Sequence, residues 1–280
     1  MTMDTSDRDN RVLFITGASR GIGRAIALAA AQRGMRIVIA AKSVDPHPKL
    51  PGTIFSVARE IEAMGGEALA LQLDVRDEVM VSEVMQQAAE HFGGIDILIN
   101  NAGAIKLQGV EKLPVKRYDL MQSVNARAVF VCAQAALPWL KQSANAQILS
   151  LAPPINLNPK WLGPYAPYTL SKYGMSLLSL GMAEEFRRYG VAVNTLWPQT
   201  LIATAAVEFE AGGPNLLPRS RKPEIMADAA VALISRPQMQ TTGQCLIDEQ
   251  VLREEGLQDL SHYRYEPGDT PLMNDLFLDE

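Results

Sequence analysis

Cysteine is nearly missing from this chain of 280 residues: Cys132 and Cys245 stand far apart, in segments that read as a helix and a strand. So few thiols exclude a disulfide framework and a cysteine metal cluster, so no metal site is expected and a reducing compartment fits. An excess of positive charge is also lacking. With 26 Lys and Arg against 31 Asp and Glu, the net charge is −5, which argues against a nucleic-acid or anionic-membrane surface and leaves small molecules as the expected partners. No stretch approaches the length of apolar run that spans a membrane, and the opening MTMDTSDRDNR has no signal-peptide core. Internal repeats and low-complexity tracts are absent as well. These absences lead us to expect a cytoplasmic protein with a flexible tail over 1–10.

What the chain does have is 48% apolar residues, enough for a large core. Seven short, β-branched apolar runs recur: VLFIT (12–16), RIVIA (36–40), ALALQL (68–73), DILIN (96–100), QILSL (147–151), VAVNTL (191–196) and QCLID (244–248). Helical patterns separate them near 22–33, 54–64, 77–91, 116–141, 165–189 and 224–235. This alternation predicts an α/β fold: a single Rossmann-like, doubly wound parallel seven-stranded sheet with helices on both faces. The domain is expected over 11–250, with residues 251–280 as a tail packed on it. Pro and Gly gather in two loops, SVDPHPKLPGT (43–53) and PPINLNPKWLGPYAP (153–167). Both follow strands, at the sheet edge where such folds bind ligands.

TGASRGIG (16–23) joins the first strand to the first helix. Gly17 permits the tight turn, Gly21 lets the backbone approach a pyrophosphate, and Gly23 allows close helix packing, while the helix N-terminus offers free N–H groups to the anion. Ser19, Arg20 and Ile22 share this turn and are further cofactor-binding candidates. The second strand ends in Lys42 and Ser43, with no carboxylate before Asp45. An acid at that point takes the ribose 2′-hydroxyl of NAD. Lys42 with Arg20 suits a 2′-phosphate instead, so the cofactor expected is NADP (NADPH).

TGASRGIG, Asp74-Val75, NNAG (100–103), the Asn125 of SVNARAVF and YTLSK (168–172) stand in the order and spacing of the short-chain dehydrogenase/reductase family, which the chain resembles over roughly 11–248. HPKLPGT, INLNP, YTLSKYGMS, GMAEEF and FLDE resemble its hydroxysteroid dehydrogenase-like subgroup more narrowly. Some members of that subgroup carry a sterol-carrier domain, for which this length leaves no room. The resemblance implies that Asp74 holds the adenine amino group, that Val75 lines the adenine pocket, and that Asn101, Ala102 and Gly103 pass beside the adenosine. It also implies an Asn125-held water in a proton relay, and a lysine, Lys172, that bonds the nicotinamide ribose.

Tyr168 and Lys172 are four residues apart on a helical pattern and so share a face. An ammonium near the phenol lowers its pKa and fits it for general acid or base work on a carbonyl or alcohol. The family also has a serine at the end of the fifth strand, where ILSLAPP places Ala152 and Pro153. Three readings stay open: Ser150 serves after all, Asn156, Asn158 or a water donates instead, or Tyr168 acts alone. Loss of one such donor typically costs about 3 kcal/mol, which slows an enzyme without abolishing it. Leu157, Trp161, Leu162 and Tyr165 either line a site for a hydrophobic carbonyl compound or form a packed loop core, and WPQT (197–200) departs from the family's Pro-Gly at Gln199. The function expected is an NADP-dependent oxidoreductase moving a hydride between nicotinamide and a hydrophobic carbonyl or secondary alcohol. The alternative is an NADP(H)-binding sensor or scaffold with little turnover. In the family, helices matching 116–141 (Ala126, Ala128, Ala133, Ala135, Ala136) and 165–189 (Met175, Leu178, Met182) form a four-helix contact, so a homodimer or homotetramer is expected.

Overall fold

Apolar runs without polar alternation are buried on both faces, as parallel strands require. In the computed structural model, which describes residues 9–47, 50, 52–211 and 213–279, seven of them form one sheet. They are β1 (Val12–Thr16), β2 (Arg36–Ala41), β3 (Glu67–Gln72), β4 (Ile97–Asn100), β5 (Gln147–Ser150), β6 (Ala192–Trp197) and β7 (Cys245–Ile247). All pairings are parallel, in the order β3-β2-β1-β4-β5-β6-β7. The order reverses between β1 and β4, and this reversal opens a crevice at the carboxyl edge. The Rossmann-like fold expected from the sequence is the fold observed.

The helices are α1 (Gly21–Gln32), α2 (Ile54–Ala63), α3 (Glu78–Phe92), α4 (Val115–Gln122), α5 (Ala128–Leu140), α6 (Pro159–Glu185), α7 (Glu224–Ser235) and α8 (Asp248–Glu254). One face of the sheet buries Ile37 and Ile39 against Ile26 of α1, Ile61 of α2 and Met226 of α7. The other buries Phe14 and Val38 with Met85 of α3, Val131 of α5 and Met175 of α6. Alternation along each strand sends successive side chains to opposite layers, and full burial of so many aliphatic groups drives the assembly.

Two helices differ from the sequence expectation. The run over 116–141 is α4 and α5 joined through a π-helical turn, Ser123–Arg127, an irregularity frequent at functional sites. α6 starts at Pro159 rather than near 165, because Asn158 Oδ1 accepts from the Lys160 N–H (3.1 Å) and proline suits the first turn. Pro164 and Pro167 are accommodated by a break at Tyr165 (φ −135°, ψ 22°), just before Tyr168. Of the helix residues named for subunit contact, Ala128, Ala133, Ala136, Met175 and Met182 are buried within this one chain. They are core here, and the exposed apolar groups on α5 and α6 are Phe130, Leu170 and Leu177.

α8 crosses residue 250, and beyond it Leu201 N–H donates to the Met273 carbonyl (2.9 Å) and Asp275 N–H to the Gln199 carbonyl (3.1 Å). Most of the tail expected over 1–10, and Pro48, Lys49 and Pro51 of the HPKLPGT loop, lie outside the described residues. Among the described residues no helix is long and apolar enough to cross a membrane, and no group of His, Cys, Asp and Glu is arranged to hold a metal.

Candidate active site

Glycine shapes the turn after β1. Gly17 (φ +70°) and Gly21 (φ +56°) take left-handed backbone. A Cβ on Gly23 would lie 2.4 Å from Asn101 Nδ2 and 2.8 Å from the Gly17 carbonyl. The Asn101 amide donates to the carbonyls of Thr16 (2.8 Å) and Gly17 (3.0 Å), and Thr16 Oγ1 accepts from the N–H groups of Asn101 and Ala102 (both 3.1 Å). The two strand-end motifs are thus one knitted unit at the β1/β4 crevice. Arg20, the N-cap of α1, gives no side-chain cap, so the first-turn N–H groups suit an anion. Ser19 is buried in this turn, and Ile22 is half-buried against the α1 layer. This glycine cradle fits a dinucleotide pyrophosphate.

On the adenosine side, Arg20 donates to Ser43 Oγ (3.0 Å) and the Gly52 carbonyl (3.1 Å). Lys42 Nζ lies 3.2 Å from Asp74 Oδ2 and is well exposed. Asp74 also accepts a two-pronged contact from Arg76 (2.9 and 2.6 Å), and this holds its carboxyl well below the usual carboxylate range. Val75 is buried behind it. Sequence reasoning did not single out Arg76.

From this turn the chain itself, and then a run of hydrogen bonds, leads to the backbone of Tyr168. Gly103 follows Ala102, and the next residue, Ala104, is gripped by Asn125, which accepts from the Ala104 N–H (2.8 Å) and donates to its carbonyl (2.9 Å). Asn125, fully buried in the π-helical turn, also donates to Ser171 Oγ (2.9 Å), and Ser171 donates to the Tyr168 carbonyl (2.7 Å). Lys172 Nζ donates to the Leu151 carbonyl (2.9 Å) and lies over the Trp197 ring (5.1 Å). Tyr168 and Lys172 are both buried, on one face of α6.

Compared with known proteins, residues 11–211 match the family model described as short chain dehydrogenase. The chain belongs to the short-chain dehydrogenase family. It is 52% identical over 279 residues to hydroxysteroid dehydrogenase-like protein 2 of Danio rerio, a match that covers 100% of this chain and 66% of that relative's length. Among solved structures, a short chain dehydrogenase of Mycobacterium thermoresistibile superposes with a TM-score of 0.90 at 49% identity, covering 96% of this chain and 95% of that one. A metagenomic short-chain oxidoreductase in complex with NADP superposes with a TM-score of 0.69 at 26% identity, covering 85% and 96%. The family is one of oxidoreductases that bind a nicotinamide cofactor.

In this short-chain dehydrogenase, electrostatics around Tyr168 run opposite to the sequence expectation. Burial, with the charge of Asp275 added, pushes the phenol upward, while burial pulls the Lys172 ammonium down to about 8, partly opposed by Asp275. Desolvation outweighs the attraction expected between the pair. Nor do the nearby polar groups reach the tyrosine. Ser150 is engaged elsewhere: it accepts from Asn100 Nδ2 (3.3 Å) and from Ser179 Oγ (3.0 Å). Asn156 Nδ2 donates to the Phe277 carbonyl (3.0 Å) and to Asp279 (2.9 Å), and Asn158 caps α6. Ala152 is packed in the core, and Pro153 only supplies a carbonyl to Ser176 Oγ (2.6 Å).

Segment 273–279 supplies what sequence reasoning missed. Phe277 is 1% exposed and stacks on Tyr168, with ring centroids 6.1 Å apart and planes at 27°. Asp275 stands close enough to influence both Tyr168 and Lys172, and burial pushes its own carboxyl up to about 7. Gln199, where the family pattern is broken, donates its N–H to buried Asp248 (2.8 Å) and its carbonyl accepts from Asp275. Trp161 and Leu162 pack in this apolar cluster, whereas Leu157 is 70% exposed. FLDE was visible as a string, but no local spacing tells that it folds back onto Tyr168.

Proposed function

We propose that this protein is an NADPH-dependent reductase of hydrophobic carbonyl compounds, able to run in reverse on secondary alcohols, with Tyr168 as proton donor. The carrying observation is the run of contacts from Thr16 to Asn101 and Ala102, along the chain to Ala104, and then by hydrogen bonds through Asn125 and Ser171 to the Tyr168 carbonyl, which fixes the helical turn bearing the phenol relative to the glycine cradle. When bound, the nicotinamide supplies or accepts the hydride. Gly17, Ser19, Gly21, Ile22 and Gly23 would hold the pyrophosphate, and Val75 with Asn101–Gly103 the adenosine side. Arg20 and Lys42, with no acid at the end of β2, favour a 2′-phosphate. Asp74, already engaged by Arg76, would meet the adenine through its remaining acceptor capacity.

Burial keeps the Tyr168 phenol protonated, which suits it to give a proton to a carbonyl oxygen rather than to take one. Lys172, with its pKa drawn down to about 8, would bond the nicotinamide ribose and supply positive charge as oxygen charge develops. Asn125 is the positioning residue: it locks the loop at Ala104 against the turn of α6 that carries Tyr168. No side-chain hydroxyl supplements Tyr168 at Ala152 and Pro153, so we expect turnover slowed by about a hundredfold relative to a site with that donor.

Occlusion of Tyr168 by Phe277 favours a second reading, an NADP(H)-binding sensor without turnover. Titration with NADPH and NADH, followed by a panel of hydrophobic ketones and aldehydes, separates the two. We expect NADPH to bind more tightly, and Tyr168→Phe to abolish NADPH consumption while leaving NADPH affinity intact. Unchanged activity in that variant sinks the mechanism, and no activity on any panel member favours the sensor.

A further inference from the structure

Segment 273–279 is held in two different ways. Its first half is backbone-paired: Leu201 N–H donates to the Met273 carbonyl (2.9 Å), Met273 N–H to the Arg219 carbonyl (3.0 Å) and Asp275 N–H to the Gln199 carbonyl (3.1 Å). Its second half makes no backbone-to-backbone hydrogen bond among the described residues. Side chains hold it instead. Trp197 Nε1 donates to the Leu276 carbonyl (3.0 Å), Asn156 Nδ2 to the Phe277 carbonyl (3.0 Å), and Asp279 is clasped by Asn156 (2.9 Å), Trp161 Nε1 (3.2 Å) and Lys160 (2.8 Å). Lys160 and Asp279 are about half exposed, and such surface pairs are weak and screened by salt.

Between anchor and clasp sits Phe277. It is sealed among Trp161 (6.1 Å), Tyr168 (6.1 Å), Tyr173 (5.2 Å) and Trp197 (5.9 Å) by ring-centroid distance. Its backbone is left-handed (φ +74°), a conformation that a bulky side chain adopts only when its surroundings impose it. A strained residue is thus held in the aromatic slot directly beside the proposed proton donor. Packing and a few side-chain hydrogen bonds, not a backbone ladder, keep the ring in.

We propose that Phe277 is the gate and the specificity-determining wall of the substrate site: its ring occupies the place beside Tyr168 that a flat, apolar carbonyl compound takes, and Leu276–Asp279 swings out from the Asp275 anchor to admit it. The inference rests on the reading of Tyr168 as proton donor. The vacated slot is walled by Trp161, Tyr173 and Trp197, so it selects ring-bearing ketones or aldehydes over small aliphatic ones. Aromatic faces reward offset stacking of a planar ring. A closed gate also lowers apparent affinity by the fraction of molecules open.

The test uses the full chain with NADP bound and a flat aromatic ketone, 2-acetylnaphthalene, as probe. Affinity is read by titration calorimetry, and slot opening by acrylamide quenching of Trp161 and Trp197 fluorescence. Phe277→Ala is expected to bind the probe about tenfold more tightly, because the closed population no longer competes, and to be quenched more. Asp279→Asn leaves every slot residue in place and is expected to move both readouts in the same direction by a smaller factor, so it carries the test if Phe277→Ala does not fold. Probe affinity and quenching unchanged in the folded variants overturn the gate, even if Tyr168→Phe abolishes turnover and the reductase stands. Conversely, if Tyr168→Phe keeps its turnover the reductase reading falls, while a gain in affinity still supports the gate over this slot.

Discussion

Tyr168 and Asp275 show how side chains distant in sequence come to share one electrostatic environment. Asp275 is pushed up to about 7, first by burial and then by the charge of Asp248, against the attraction of Lys172 and the donation of the Leu276 N–H (2.6 Å). An acid whose folded pKa exceeds its unfolded value binds protons more readily when folded. Its contribution to stability is therefore full below the unfolded carboxyl pKa, about 3.9, and is lost as pH rises through about 7. Asp275→Asn removes that loss. We expect the melting temperature of the variant, relative to the parent protein, to climb between about pH 4 and pH 7 and to level off above. A difference that stays flat across that range, followed by calorimetry, refutes the assignment.

At the scale of elements, the decisive join is between the β1–α1 turn and the strand-end turn after β4. Gly23 lies in α1, where a side chain would otherwise be tolerated, yet its Cβ position is closed by Asn101 and by the Gly17 carbonyl. Gly23→Ala therefore forces the two turns apart. Overpacking of this kind costs typically about 1–3 kcal/mol, and here it also moves the first-turn N–H groups away from a bound pyrophosphate. Urea denaturation is expected to show that loss of stability, and fluorescence titration a weaker affinity for NADPH; parent-like values in both measurements would mean that the turns are less tightly joined. The π-helical turn at Ser123–Arg127 does a related job. It brings Asn125 inward from the α4–α5 rod, so that one amide grips both Ala104 and Ser171.

For the whole molecule, the open question is assembly. The small and apolar residues of α5 and α6 that resemble a subunit contact mostly pack inside the chain, but Phe130, Leu170 and Leu177 remain exposed on those same helices. We propose that these helices pair with those of a second copy, burying these groups. Light scattering after gel filtration is expected to give a dimer or tetramer, and Phe130→Glu with Leu177→Glu a smaller species, since burying charge in such a contact is costly. A parent protein that runs as a monomer removes the proposal. The chain spans about two thirds of the length of its Danio rerio relative, so the activity of a longer protein is a further question.

The sequence by itself determined the sheet, its strand limits to within a residue or two, the glycine cradle and the placing of Tyr168 and Lys172 on one face of a helix. Each of these is set locally: β-branched runs, positive-φ glycines and a four-residue helical spacing carry their meaning wherever the chain goes. Only the tertiary structure decided that Ser150 is buried against Ser179, that desolvation raises the Tyr168 phenol, and that Asp275 and Phe277 close over it. Burial depth and contacts between distant segments leave no periodic trace in sequence. They arise when the segment after α8 folds back across the carboxyl edge of the sheet, which only the packed chain brings about.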